Sequence, residues 1–125
     1  MAKILIVDDE REFVDMLALR LEKSGGYEVV RGYDGEEGLK LAEEQMPDLV
    51  VLDIMMPKMD GNELIRRLKK NEKTQNIPII VLTASTAPST VDKFLALGAI
   101  DFIMKPFEPP ELMDKIKQAL VPAQN

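Results

Sequence analysis

The chain contains no cysteine, no histidine and no tryptophan in its 125 residues. Without cysteine there is no disulfide framework and no thiolate to ligate a metal. Without histidine, a zinc site built on imidazole and imidazole-based catalysis are excluded. Long hydrophobic runs are absent too, none approaching the roughly 20 apolar residues that span a bilayer. The N-terminus offers only Lys3 and the run Ile4-Leu5-Ile6-Val7, too short for a signal peptide, so the cytosol is the default compartment. A basic excess is also missing. Lys and Arg number 16 against 22 Asp and Glu, a net charge of −6, so the chain lacks the electrostatic footprint of a nucleic-acid binder. Its one basic cluster, Arg66, Arg67, Lys69, Lys70 and Lys73, lies opposite the stripe Leu64, Ile65, Leu68 and reads as the solvated face of a helix. Glycine-rich phosphate loops are lacking as well: neither G-x-x-x-x-G-K-[ST] nor G-x-G-x-x-G follows a strand, which disfavours a nucleotide-binding enzyme.

What is present is a regular alternation. Short apolar, β-branched runs predict strands over 3–8, 27–32, 48–53, 78–82 and 100–104. The third and fourth are nearly continuous apolar runs, as expected of strands buried on both faces. Between them lie amphipathic stripes: Val14, Leu17, Ala18, Leu21, ending near Gly25-Gly26; Leu39, Ala42, Met46, stopping at Pro47; Leu64, Ile65, Leu68; Val91, Phe94, Leu95, ending at Gly98; and Leu112, Ile116, Leu120 after Pro109-Pro110. Alternating strand and helix predicts right-handed crossovers and one parallel sheet with helices on both faces. At this length there is room for one domain with one core, placed over 1–121, with 122–125 as a tail or the start of a linker. The eight methionines read as core and loop filler.

The chemistry gathers where the strands end. Asp8 ends the first strand and Asp9 follows it, Asp53 ends the third, Thr83 follows the fourth and Lys105 the fifth. In a parallel sheet these positions share the carboxyl edge, where ligands of open α/β sheets bind. Carboxylate and carbonyl oxygens suit a hard cation such as Mg2+, which keeps several waters and shares its ligands with phosphate. Asp53 is then the candidate nucleophile: an unperturbed carboxylate with a pKa of about 3.9 is ionised at neutral pH and needs no general base. Lys105 supplies positive charge and Thr83 a hydrogen bond to the equatorial oxygens of a transferring phosphoryl group. Singly, each of these residues is an ordinary helix cap, turn former or solvated charge. Five of them at strand ends are not so easily dismissed, because carboxylates crowded into one cleft repel and call for an external charge.

These residues, as Val7-Asp8-Asp9-Glu10, Leu52-Asp53-Ile54-Met55-Met56-Pro57-Lys58-Met59-Asp60-Gly61, Leu82-Thr83-Ala84-Ser85, Gly98-Ala99 and Lys105-Pro106-Phe107, resemble the receiver domain of bacterial two-component response regulators, of the chemotaxis-regulator type. The resemblance covers residues 3 to about 121. It implies a (βα)5 flavodoxin-like fold with strand order 2-1-3-4-5. It implies phosphorylation at Asp53, Mg2+ held directly by Asp9 and Asp53 and the carbonyl of Met55 with Asp8 acting mostly through water, and pairing of Lys105 with Asp53 or its phosphoryl group. Thr83 and Phe102 would be the switch residues, and the Lys105–Pro106 bond is often cis in the family. Phe102 lacks the hydroxyl of the tyrosine common at its position, so its inward rotamer is expected to be accessible without phosphate. Met55 and Ser85 stand where the family tunes phosphoryl lifetime, and neither holds an attacking water as an amide or carboxylate does, so slow self-dephosphorylation is expected.

The implied function is a signalling switch that takes its phosphoryl group from a sensor histidine kinase, a phosphotransfer protein or a small acyl phosphate. The domain assists only its own modification and hydrolysis, and signals through the face made by the fourth helix, fifth strand and fifth helix to a downstream target or output domain. The expected state is a monomer. A phosphorylation-dependent dimer through that face is favoured by Asp101 and Lys115 and opposed by Ile100, which stands where an acidic residue is usual. Two other readings compete. A phosphate-independent pseudo-receiver is opposed by the intact acidic set with Thr83 and Lys105. A phosphohydrolase with an aspartyl intermediate would need a second Asp where Met55 stands.

Overall fold

The computed structural model describes residues 1–121. The tail assigned to 122–125 lies outside the described residues. Five parallel strands, β1 (Lys3–Val7), β2 (Glu28–Gly32), β3 (Leu49–Asp53), β4 (Ile79–Thr83) and β5 (Asp101–Met104), form one sheet in the order β2-β1-β3-β4-β5. The helices α1 (Arg11–Gly25), α2 (Gly35–Gln45), α3 (Gly61–Lys70), α4 (Pro88–Leu97) and α5 (Pro109–Leu120) supply the crossovers. The parallel sheet with helices on both faces expected from the alternation, and the strand order implied by the family resemblance, are therefore present. Strand limits differ by one residue from the expected ones, β4 running on to include Thr83 and β1 stopping before Asp8.

The sheet separates two cores. Ile4, Ile6, Leu49, Val51, Ile80 and Leu82 point to one face and pack with Val14, Leu17 and Leu21 of α1 and Leu112 and Ile116 of α5. Leu5, Val7, Val50, Leu52, Ile79 and Val81 point to the other and meet Ala42 of α2, Leu64, Ile65 and Leu68 of α3 and Phe94 of α4. That division follows from the two-residue period of a strand. All five residues of β3 and all five of β4 are buried, which accounts for their unbroken apolar character. Each fully buried Leu, Ile or Val contributes about 1.5–3 kcal/mol.

Local chemistry ends the helices where the strands must begin. Gly26, at φ 68°, closes α1 by donating its N–H to the Glu22 carbonyl at 3.2 Å, while Tyr27 N donates to the Leu21 carbonyl at 3.4 Å, a left-handed cap that a side chain would strain. Asp34 caps α2 by accepting from Glu37 N at 2.8 Å, and Asp60 caps α3 by accepting from Glu63 N at 2.9 Å. Gly61 lets α3 start against the end of β3, since a Cβ there would lie 2.6 Å from Ile54 Cα and 2.7 Å from the Asp53 carbonyl oxygen. The close approach of α3 to the Asp53 loop is thus written into one residue.

Candidate functional site

Strand register brings the candidate residues to one edge. Asp53 stands opposite Leu82, and Thr83 opposite Met104, so Asp53, Thr83 and Lys105 emerge from three neighbouring strands. Asp8 joins from β1, its N–H bound to the Gly32 carbonyl at 3.1 Å. The strand order reverses between β1 and β3, between Asp8 and Asp53.

The Lys105 ammonium sits at the centre. Its Nζ lies 2.9 Å from Asp8 Oδ2, 3.2 Å from Glu10 Oε1 and 3.4 Å from Asp53 Oδ2. The same nitrogen lies 4.8 Å from the centroid of the Phe13 ring, and Phe13 meets Phe107 edge-on at 5.9 Å. The Phe13 ring, braced by Phe107, thus lies against the same ammonium that the carboxylates pair. Burial pulls the Lys105 ammonium down, but Asp8, Asp53 and Glu10 more than offset it and hold the amine above its ordinary range.

Asp53 is buried at the end of β3, and Asp8 is fully buried. Burial first, and then the charge of Asp8, push the Asp53 carboxyl up to about 6, although the Met55 N–H, at 3.2 Å from Oδ1, and Lys105 favour the ionised form. The unperturbed value assumed from sequence therefore does not hold without a cation. Asp8 Oδ1 in turn accepts from Glu10 N at 3.0 Å, which fixes the start of α1. Carboxylate oxygens of Asp8, Glu10 and Asp53 lie within 4.8 Å of one another. Such a donor set, all hard oxygen and short of positive charge, fits a small divalent cation.

Of the residues singled out from sequence, Asp8, Asp53 and Lys105 are in mutual contact, and Thr83 is buried on the neighbouring strand. The Thr83 hydroxyl donates to the Ser85 carbonyl at 2.9 Å and accepts from Ser85 N at 3.1 Å. Asp9 is exposed and lies outside the group of three carboxylates. Met55 is 74% exposed, so its thioether faces solvent while its N–H serves Asp53. Phe102 is half-buried, its ring centroid 5.7 Å from that of Phe94 in α4. The Lys105–Pro106 peptide bond is cis. Asp101 accepts from Lys115 at 3.2 Å within the chain, and Ile100 is exposed beside it. Adjacency to Asp8-Asp9 is the one signal for Glu10 in the sequence; the position of Lys105 reveals that Asp8 and Glu10 turn toward it and that Asp9 does not join them.

The sequence profile described as response regulator receiver domain matches residues 4–117. The chain belongs to that family. It is 45% identical over 118 residues to the alkaline phosphatase synthesis transcriptional regulatory protein PhoP of Bacillus subtilis, covering 94% of this chain and 48% of that protein. It is 37% identical over 120 residues to the DNA-binding dual master transcriptional regulator RpaA of Synechocystis, covering 96% of this chain and 49% of the relative. The receiver chain thus spans about half the length of these relatives. Among solved structures, the chemotaxis protein CheY4 of Vibrio cholerae superposes with a TM-score of 0.90 at 33% identity, over 96% of this chain and 99% of that one. The receiver domain of the sensor histidine kinase PA1611 from Pseudomonas aeruginosa gives 0.82 at 29% identity, over 94% and 95%, and has a magnesium ion coordinated in its active site cleft. Receiver domains are the signalling modules of two-component systems, and among the described residues no helix is long and apolar enough to cross a membrane.

Proposed function

We propose that this receiver domain is a phosphorylation-controlled switch that accepts a phosphoryl group on Asp53. The observation that carries the reading is the contact set around that carboxylate: a buried nucleophile at a strand end, beside a second buried carboxylate and a shared ammonium. The donor is a phosphohistidine on a sensor kinase or phosphotransfer protein, or a small acyl phosphate. An Asp53 carboxylate oxygen attacks phosphorus, the P–N or acyl P–O bond breaks, and the leaving group departs on the opposite side. Asp53, Asp8 and Asp9, with the carbonyl of Met55, would hold Mg2+, which supplies positive charge for the phosphoryl oxygens and lowers the cost of ionising Asp53. Asp9 is exposed and gives up no packing by turning toward a cation.

The chain's own residues do the rest. Lys105 neutralises charge on one side of the acceptor. Thr83 exchanges its bond to the Ser85 carbonyl for one to a phosphoryl oxygen, so its hydroxyl is never left unsatisfied. Movement of Thr83 draws on the segment Ala84–Ala87 leading into α4, and Phe102 and Phe94 repack beneath it. The outcome is a population shift between two packings of the α4–β5–α5 face. That face is the output surface, addressed to a target or an attached output domain. The test is intact-protein mass after incubation with acetyl phosphate and Mg2+. A gain of one phosphoryl group that is absent from Asp53→Asn is expected. No gain in the wild type, with Mg2+ bound, leaves the kinase route to be assayed directly, and failure there too would establish a phosphate-independent interaction module instead.

A further inference from the structure

We infer that Glu10 is a specificity-determining residue, one that biases the site against dianionic phosphoryl donors by competing for Lys105; the inference rests on the reading of Asp53 as acceptor. A lysine ammonium has three N–H donors and no more. In this structure Asp8, Glu10 and Asp53 engage all three, and the bond to Asp53, at 3.4 Å, is the longest. A phosphoryl group arriving at Asp53 must therefore take a Lys105 donor from one of the other two carboxylates. Asp8 is fully buried, so no solvent can replace the ammonium bond it would lose. Glu10 is the other holder, with its side chain 66% exposed, so water replaces what it loses. Glu10 is the group that yields.

Its charge also stands at the surface beside the ammonium. Glu10, Phe13 and Lys105 line one depression of about 320 Å3, with Pro106 and Phe107 forming the remaining wall. A dianionic donor such as acetyl phosphate that draws on Lys105 comes within reach of the Glu10 carboxylate, whose Oε1 lies 3.2 Å from the ammonium. A donor carrying its own positive charge on the leaving nitrogen, as phosphoramidate does, meets less repulsion and loses less by the presence of Glu10. Glu10 thus tilts the site toward nitrogen-linked phosphoryl donors.

The side chain is separable from the fold. Glu10 is the N-cap residue of α1, yet its side chain makes no cap hydrogen bond. Its structural bonds run through the backbone, from its N–H to Asp8 and from its carbonyl to Val14 N at 3.0 Å. Glu10→Gln therefore removes one charge and keeps shape and cap.

The experiment compares phosphorylation rates of wild type, Glu10→Gln and Glu12→Gln with acetyl phosphate and with phosphoramidate, at saturating Mg2+ and low salt. Glu12 is an exposed carboxylate of the same turn outside the Lys105 clamp. The expected result is an acceleration of about fivefold with acetyl phosphate in Glu10→Gln, under about twofold with phosphoramidate, and little change in Glu12→Gln. Equal acceleration with both donors, or the same effect from Glu12→Gln, overturns the inference. Should the wild type take no phosphoryl group from either donor, the acceptor reading passes to the kinase assay, and failure there too is its failure. The clamp is then judged by binding of inorganic phosphate to the Mg2+-loaded domain, where unchanged affinity in Glu10→Gln overturns it.

Discussion

Helices α3 and α4 are each ten residues long, lie side by side, and each follows a loop that leaves the candidate site. They are held in very different ways. α3 buries Gly61, Leu64, Ile65 and Leu68 and has an aspartate cap on its first turn. α4 buries Phe94 alone, has no side-chain cap at its N-cap residue Ala87, and is approached by the exposed segment Ala84–Ala87. The loop of α3 carries Asp53's backbone support and the loop of α4 begins at Thr83; on the proposed reading the first must stay put and the second must be cheap to move. On the proposed reading, one sheet edge thereby keeps its acceptor rigid and its switch soft.

The comparison can be broken most severely at Phe94. Phe94→Ala should cost about 3–4 kcal/mol in denaturant unfolding and strip α4 of its hydrogen-exchange protection, because no second buried side chain replaces it. Leu95→Ala, at a residue 39% exposed, should cost under about 1 kcal/mol on the same helix. If the two variants lose equal stability, α4 is not held by a single anchor.

Next in size is the acceptor's own strain. The Asp53 carboxyl is raised from an ordinary 3.8 to about 6, chiefly by burial and then by Asp8. A group whose pKa rises on folding favours the fold while protonated, so its contribution is intact below 3.8 and is lost as pH climbs through about 6. In metal-free buffer at neutral pH, Asp53→Asn should therefore be more stable than wild type by about 1–2 kcal/mol, allowing for solvent screening at the cleft mouth. The gap should close below pH 4. A variant no more stable than wild type at pH 7.5 would show that Lys105 already cancels the strain.

Capping sharpens the contrast at smaller scale. Asp60→Ala should destabilise by about 1 kcal/mol, and Ala87→Asp should stabilise by a similar or lesser amount while shifting the resting equilibrium away from the phosphorylated packing. Thermal unfolding of both variants, with phosphorylation extent under limiting acetyl phosphate for Ala87→Asp, checks this. The smallest effect is kinetic: Met55→Asn should shorten phosphoryl lifetime several-fold by holding a water that a thioether cannot. An unchanged decay rate would remove Met55 from the account.

Most of the fold was legible because burial on both faces writes β3 and β4 as the unbroken runs Leu49–Leu52 and Ile79–Leu82, and because Gly26, Pro47 and Pro109 punctuate the helices. The site was legible as positions, since Asp8, Asp53, Thr83 and Lys105 all stand at strand ends in register. What could not be read were directions. Adjacent acidic residues at the end of β1 differ only in where their side chains turn, and that depends on a lysine 95 residues away from Glu10. The raised Asp53 pKa was hidden for the same reason: it arises from burial and from Asp8 across a strand pair, neither visible in the local sequence.

The most direct test of the central claim is residue-resolved amide hydrogen exchange of the Mg2+-loaded domain with and without acetyl phosphate. The account predicts that protection changes from Ala84 through Leu97 and at Phe102, while Gly61 to Lys70 exchanges as before. Equal changes in α3 and α4, or a change confined to α3, would contradict it.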